Sequence, residues 1–176
     1  HPWPGHGAHR WGSSSAGLDR SSRSRVPAMR DATHVEALIP HRLPMRLVEG
    51  FEDPVDEHML ACAEVRASWP TVCGGAARTL ILIELIAQSA GVLQGFRERA
   101  QGKPVSGGLL VGIPALAVSK ARIPVGTQLR CSVSISHGAP NYLVFDGRVT
   151  DTTGELWLAG SVQAYRVDDC VLGDQP

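Results

Sequence analysis

A single carboxylate, Glu84, lies inside the most apolar stretch of the chain, Arg78 to Phe96, which reads RTLILIELIAQSAGVLQGF. Burying a carboxylate is costly unless the group is paired, hydrogen-bonded or protonated. A carboxyl in an apolar setting suits proton transfer, because it can hold the proton that a general acid donates. The structural alternative is that Glu84 pairs with Arg78 or with a backbone amide.

Other residues with chemical potential lie close to Glu84 in the sequence or in a recognisable turn. Gln88 follows Glu84 by one helical turn, so it shares a helix face and could hold the carboxylate or a bound water. Gly75 belongs to the loop before the helix, where glycine lets backbone approach a ligand closely. Cys73 in the same loop is either an activated thiol near a helix start or a small buried side chain.

One long helix and about six strands are predicted to position these residues. A short helix, Ala32 to Leu38, must end before Pro40. The predicted strands are Met45 to Phe51, Met59 to Val65, Leu109 to Val118, Gln128 to Ser136, Tyr142 to Thr150 and Leu156 to Arg166. The short connections among the last four of these strands favour an antiparallel meander. The sequence therefore predicts an α+β fold whose antiparallel sheet wraps around the Glu84 helix.

Length and composition favour one domain. Of the 176 residues 43% are hydrophobic, which suffices for a single core. Residues 1–30 are rich in Gly, Ser, Pro and Arg and are predicted to be a disordered extension or the remnant of an added tag, with a transit peptide as the rival interpretation. The domain is expected to span residues 31–168, followed by a flexible tail at 169–176.

Charge and cysteine content exclude several classes of protein. Residues 1–30 hold five arginines and one acid, so 12 basic residues face 16 acidic ones in the rest of the chain. That balance disfavours a nucleic-acid-binding core. The scattered cysteines show no metal-ligand spacing, so no metal site is predicted and reduced thiols in a cytoplasm are expected. No apolar run is long enough to span a membrane.

The order of motifs resembles a known family. IPHRLPMRLVEGF, a hairpin, LILIELIAQSAG and a strand set that includes PVGTQLRCSVSI resemble the hotdog-fold 3-hydroxyacyl-acyl carrier protein dehydratases. The resemblance is strongest to the divergent dehydratase-like proteins of aryl-polyene gene clusters, which share a glycine-framed strand like Gly107 to Gly112. It covers roughly Glu36 to Val167.

This resemblance implies dehydration of a 3-hydroxyacyl thioester to the trans-2-enoyl thioester, in fatty-acid or polyene-type biosynthesis. The substrate would be carried on the phosphopantetheine of acyl carrier protein, with no further cofactor. Glu84 stands where the family has its helix carboxylate, with Gln88 beside it. Thr79 stands where a backbone N–H stabilises the thioester oxygen, and Gly112 would lie against the substrate.

The sequence departs from the family at the catalytic histidine, whose position fourteen residues before Glu84 is occupied by Pro70. His41, in the Pro40-His41-Arg42 turn, is the candidate replacement, and the alternative is that its ring only braces the turn. His34 is expected to face outward or to pack against the short helix, and His58 and His137 are expected in a hairpin loop and a turn.

Three functional interpretations stay open: an active dehydratase, a non-catalytic partner of an active hotdog subunit, and a thioesterase in which Glu84 activates water. A homodimer or heterodimer is expected, because pairing the open sheet edge across a two-fold axis removes it. Lys120, Arg122 and Arg130 either receive the phosphate of the carrier arm or form a solvated strand face.

Overall fold

The computed structural model describes residues 28–167. The helices are α1 (Ala32–Glu36) and α2 (Ile81–Ala100). The strands are β1 (Met29–Arg30), β2 (Gly50–Glu52), β3 (His58–Glu64), β4 (Val72–Cys73), β5 (Ala76–Arg78), β6 (Gly107–Val118), β7 (Arg122–Pro124), β8 (Gln128–Ala139), β9 (Tyr142–Asp151) and β10 (Leu156–Val167). This mixture confirms the predicted α+β class.

Seven strands form one sheet in the order β1-β2-β3-β8-β9-β10-β6, and every neighbouring pair is antiparallel. A second sheet, β4-β5-β7, lies next to the start of α2 and is also antiparallel. The predicted meander is confirmed for β8, β9 and β10. It is wrong for β6, which pairs with β10 at the sheet edge instead of with β8.

The 20-residue helix α2 packs against the large sheet. Its most buried apolar side chains belong to Leu82, Leu85, Ile86, Val92 and Leu93. The sheet accommodates Ile86 at Gly147 of β9, because a Cβ at Gly147 would lie 2.5 Å from the Ile86 Cγ2 atom. Within residues 28–167, no helix combines the length and apolar character that crossing a membrane requires.

Helix α2 begins at Ile81, three residues later than the apolar pattern indicates. Ala76–Arg78 instead pair with β7, which commits their backbone to a strand. At the other end, Phe96 meets Phe51 edge to face, with ring centroids 6.1 Å apart, and fixes the helix against β2.

Several predicted boundaries are corrected by the structure. The strand predicted over Met45 to Phe51 is reduced to Gly50–Glu52, and the segment before it is irregular. Met29 and Arg30 pair with β2, so the folded part begins before the predicted boundary at residue 31. His58 and His137 lie in β3 and β8 rather than in a loop and a turn, and both are exposed. The remaining extension, residues 1–27, and the predicted tail lie outside the described residues.

Candidate active site

A cavity of about 580 Å³ runs along one side of α2. Residues of α2 from Glu84 onward and the capping residue Gln101 line it, which corresponds to about 25 Å along the helix axis. Its middle is apolar, with walls from Ile39, Leu143, Phe145, Val162 and Ala164. A long space with an apolar middle is suited to an extended alkyl or alkenyl chain.

Glu84 and His41 meet at one end of this cavity. The His41 Nε2 atom lies 3.3 Å from the Glu84 Oε1 atom, and the side chains are 36% and 30% exposed. Glu84 is therefore not the stranded, fully buried carboxylate that the sequence suggests, because it faces the cavity. The structural alternative of a Glu84 pair with Arg78 is not observed. Two groups that can exchange a proton are brought together from segments 43 residues apart.

Gln88 holds Glu84 in place, as predicted from the helical spacing. The Gln88 side chain is 1% exposed, and its Nε2 donates to Glu84 Oε1 at 2.8 Å and to the Met45 carbonyl at 2.7 Å. Its Oε1 accepts from the Leu47 backbone N–H at 2.8 Å. One amide therefore fixes the carboxylate and also binds the segment that follows the His41 turn.

The His41 turn is stabilised by Arg42, whose structural role could not be read from the sequence. The Arg42 guanidinium donates to the carbonyl oxygens of Ile39 at 3.0 Å, His41 at 2.9 Å and Glu36 at 3.2 Å. These bonds close the chain reversal after α1. The His41 Nδ1 atom is buried and has no hydrogen-bond partner within residues 28–167, so Nε2 is the nitrogen that a ligand in the cavity can reach.

Thr79 does not supply the predicted oxyanion donor. Its backbone N–H donates to the Ala121 carbonyl at 3.0 Å, which continues the ladder between β5 and β7 beyond Arg78. A donor already used in a sheet cannot stabilise developing charge on a substrate. This prediction is wrong because β7, a strand of three residues that ends in Pro124, was not recognised in the sequence.

Gly75 and Gly112 also lie away from the cavity lining. Gly75 has a φ of 74° and Gly74 one of 60°, so the pair forms the tight turn between β4 and β5. Gly112 lies in β6, where a Cβ would come within 2.4 Å of the Gln163 Oε1 atom. Gly75 is explained by its positive φ, whereas Gly112 lies beside the flexible end of the Gln163 side chain.

The loop that replaces the family's histidine motif has no acid-base group. Trp69 is 4% exposed and belongs to the core, whereas Pro70 is exposed. Cys73, the last residue of β4, is an exposed free thiol, so the expectation of a buried side chain is wrong. Within residues 28–167, no group of three His, Cys, Asp or Glu side chains is arranged to hold a metal ion.

The far end of the cavity is organised by Glu98, which is 2% exposed. It accepts from the Ser106 N–H at 2.7 Å, from the Ser106 hydroxyl at 2.7 Å and from Gln94 Nε2 at 3.0 Å. Burial alone raises the pKa of Glu98, but these hydrogen bonds, together with nearby Arg166, outweigh it and lower the pKa from its ordinary value. The ionised carboxylate thus fixes the connection from α2 to β6.

Comparison with known proteins identifies the family of this chain. Residues 33–172 match the model of the ApeP-like family, described as ApeP dehydratase. The chain belongs to the ApeP-like dehydratase family. The ApeP-like chain is also 27% identical over 139 residues to the 3-hydroxyacyl-[acyl-carrier-protein] dehydratase FabZ of Streptococcus pyogenes serotype M49 (strain NZ131), covering 76% of this chain and 96% of the relative. The FabZ of serotype M1 is 27% identical over 137 residues, covering 75% and 95%.

Solved structures support the hotdog fold. The dehydratase heterocomplex ApeI:P from Xenorhabdus doucetiae matches with a TM-score of 0.72 and 22% identity, covering 78% of this chain and 93% of that chain. A hypothetical thioesterase protein with coenzyme A from Streptococcus pneumoniae TIGR4 matches with a TM-score of 0.53 and 17% identity, covering 66% and 84%. The predicted hotdog fold and dehydratase-like family are therefore confirmed.

Proposed function

We propose that this ApeP-like protein removes water from 3-hydroxyacyl thioesters carried on the phosphopantetheine of an acyl carrier protein. The observation that carries the proposal is the 3.3 Å contact between His41 Nε2 and Glu84 Oε1 at the end of an apolar cavity. It supplies an acid-base pair in a chain that lacks the family's histidine at Pro70. The reaction needs only proton transfers, so we expect no cofactor beyond the carrier arm.

In the proposed reaction, neutral His41 takes the proton from C2 of the acyl chain while protonated Glu84 gives a proton to the hydroxyl on C3. The electron pair of the C2–H bond forms the C2=C3 double bond, the C3–O bond breaks, and water leaves. His41 is then an imidazolium and Glu84 a carboxylate. Return of one proton from the imidazolium to the carboxylate, by way of the released water, restores the starting state.

The hydrogen bond from Gln88 favours different roles for the two carboxyl oxygens of Glu84. Glu84 Oε1 interacts with both Gln88 Nε2 and His41 Nε2. Glu84 Oε2 makes no hydrogen bond to another described residue between 28 and 167, so it is the oxygen available to carry the proton toward the hydroxyl. A fixed carboxyl of this kind suits general-acid chemistry because its geometry is set before the substrate binds.

The test uses 3-hydroxyoctanoyl-pantetheine and follows both enoyl product and free thiol. Glu84→Gln and His41→Ala are each expected to lower kcat about 100- to 10,000-fold, the usual contribution of a positioned acid or base. His58→Ala, which removes an exposed histidine from β3, is the matched control and should keep full activity. Wild-type rates in both folded site variants would contradict the assignment.

A non-catalytic partner subunit is the second candidate, and the loss of histidine at Pro70 favours it. In that case the pure protein produces neither enoyl product nor thiol but still binds acyl carrier protein. Release of free thiol without enoyl product would instead indicate a thioesterase. The turnover assay and a measurement of carrier-protein binding together separate the three functions.

The exposed edge at β6 supports assembly with a second hotdog subunit, either a copy of this chain or a related one, as in the ApeI:P heterocomplex. Among the strands that residues 28–167 form, this 12-residue strand has a neighbour on one side only. Its exposed large apolar residues are Leu109, Leu110, Val111, Ile113, Leu116 and Val118. Antiparallel pairing of β6 with a second edge would satisfy its open backbone groups and cover these side chains.

A further inference from the structure

Two arginines face each other on the small sheet, where like charges are normally avoided. Arg78 of β5 and Arg122 of β7 are directly paired in register. Their neighbours in the same ladder, Ala77 and Ile123, are both fully buried, so the two arginines project from the opposite, exposed face. Side chains paired in this way have Cβ atoms about 5 Å apart, and opposed like charges destabilise the pair.

The two guanidinium groups differ in how they are held. Arg122 Nη2 donates to the backbone carbonyl of Ala76 at 3.1 Å and also to that of Cys73, which fixes the group beside the turn between β4 and β5. No acidic side chain pairs with it among residues 28–167. Arg78 makes no side-chain hydrogen bond or ion pair with any residue in the same range. The result is a fixed cation and a free cation side by side.

Other cations of this region lack these properties. Lys120 forms an ion pair with Glu155 and lies 5.1 Å from the centroid of the Trp157 ring, so its charge is already partnered. Arg130 lies on the exposed face of β8 in the large sheet, paired in register with Cys62 and Thr150. Because the chain after residue 30 carries more acidic than basic residues, the Arg78–Arg122 pair is a local exception.

We propose that Arg78 and Arg122 bind the phosphodiester of the phosphopantetheine arm. An oxyanion with two or more acceptor oxygens between the guanidinium groups removes their repulsion, and arginine matches phosphate by paired hydrogen bonds. Arg78 precedes Glu84 by six residues, and the chain between them spans at most about 15 Å. The proposal rests on the carrier arm of the proposed function but not on its chemistry.

The test measures binding of two ligands that cannot be dehydrated and differ only in the phosphate, S-octanoyl-4′-phosphopantetheine and S-octanoyl-pantetheine. Isothermal titration at low salt is expected to give the phosphorylated ligand an affinity about tenfold higher. Arg78→Gln should remove this difference, as should Arg122→Gln, and raised salt should weaken it. Arg78→Gln is the cleaner variant because this side chain holds no other part of the fold. Arg130→Gln, the control, removes one positive charge from β8 and should preserve the difference in affinity between the two ligands.

Equal affinity for the two ligands in the wild-type protein overturns the proposal, and so does an equal loss in Arg130→Gln. A third ligand, octanoyl-acyl carrier protein, distinguishes the source of negative charge. If Arg78→Gln weakens carrier binding but not phosphopantetheine binding, the pair recognises carboxylates of the carrier and the phosphate proposal is wrong. These ligands lack the 3-hydroxyl group, so their binding is measured apart from turnover. Phosphate-dependent binding, together with no enoyl product from 3-hydroxyoctanoyl-pantetheine, would refute the proposed function and leave this site standing.

Discussion

Replacing Gln88 by Met tests whether one amide holds the candidate site together. The substitution keeps the size and flexibility of the side chain but removes its donors and its acceptor. The Leu47 N–H, in a fully buried residue, and the partly buried Met45 carbonyl then lose their partners. An unsatisfied buried polar group costs about 1–3 kcal/mol, so the free energy of unfolding should fall by about 2–4 kcal/mol.

Urea denaturation followed by tryptophan fluorescence measures this change, because Trp69 and Trp157 are 4% and 5% exposed and report loss of the core. The melting temperature should fall by about 5–15 °C. Gln101→Met, at the exposed end of the same helix, should change stability by no more than about 0.5 kcal/mol. A loss below about 1 kcal/mol in Gln88→Met would show that water or rearranged backbone replaces the amide, and would refute the reasoning.

Glu98 and Gly91 give two further predictions. Because the pKa of Glu98 is lowered in the folded state, its stabilising effect is complete above the ordinary value of 4.5 and is lost as the pH falls through the lowered value. Glu98→Gln should therefore lower the melting temperature at pH 7 and flatten its decline below pH 4.5. Gly91→Ile places a branched side chain in the cavity, where even a Cβ would lie 3.2 Å from the Ile39 Cγ2 atom. The substitution should therefore weaken the binding of dodecanoyl-pantetheine about tenfold more than the binding of butanoyl-pantetheine. Ala100→Ile, exposed on the same helix, should preserve the ratio of the two affinities, and an unchanged ratio in Gly91→Ile would contradict the cavity assignment.

The sequence predicted interactions that depend on local periodicity. The bond between Gln88 and Glu84 follows from a spacing of four residues on a helix, and the long strands β8, β9 and β10 follow from apolar runs separated by turns. The strand predicted from Met45 failed because Gln88 binds the backbone of Met45 and Leu47 that a sheet ladder would need. A side chain 41 residues away from Leu47 thus decided the local structure.

The pairing of distant segments could not be predicted from the sequence either, because it also depends on residues far apart in the chain. Nothing local indicates that Ala121 takes the N–H of Thr79, that Arg78 faces Arg122, or that β6 crosses to β10. The contact of His41 with Glu84 also depends on how Arg42 closes the turn after α1. These features follow from the packing of distant segments, which periodicity does not encode.

The edge strand β6 has a structural feature that restricts which strands can pair with it. Pro114 lies in its middle and offers no N–H, and the pairing with β10 shifts register opposite this position, between Ser161 and Gln163. An incoming strand therefore meets two short ladders separated by an interruption rather than one continuous template. A strand this apolar would otherwise invite fibrillar stacking in a crowded cell, whereas an interrupted edge accepts only a partner whose own irregularity matches.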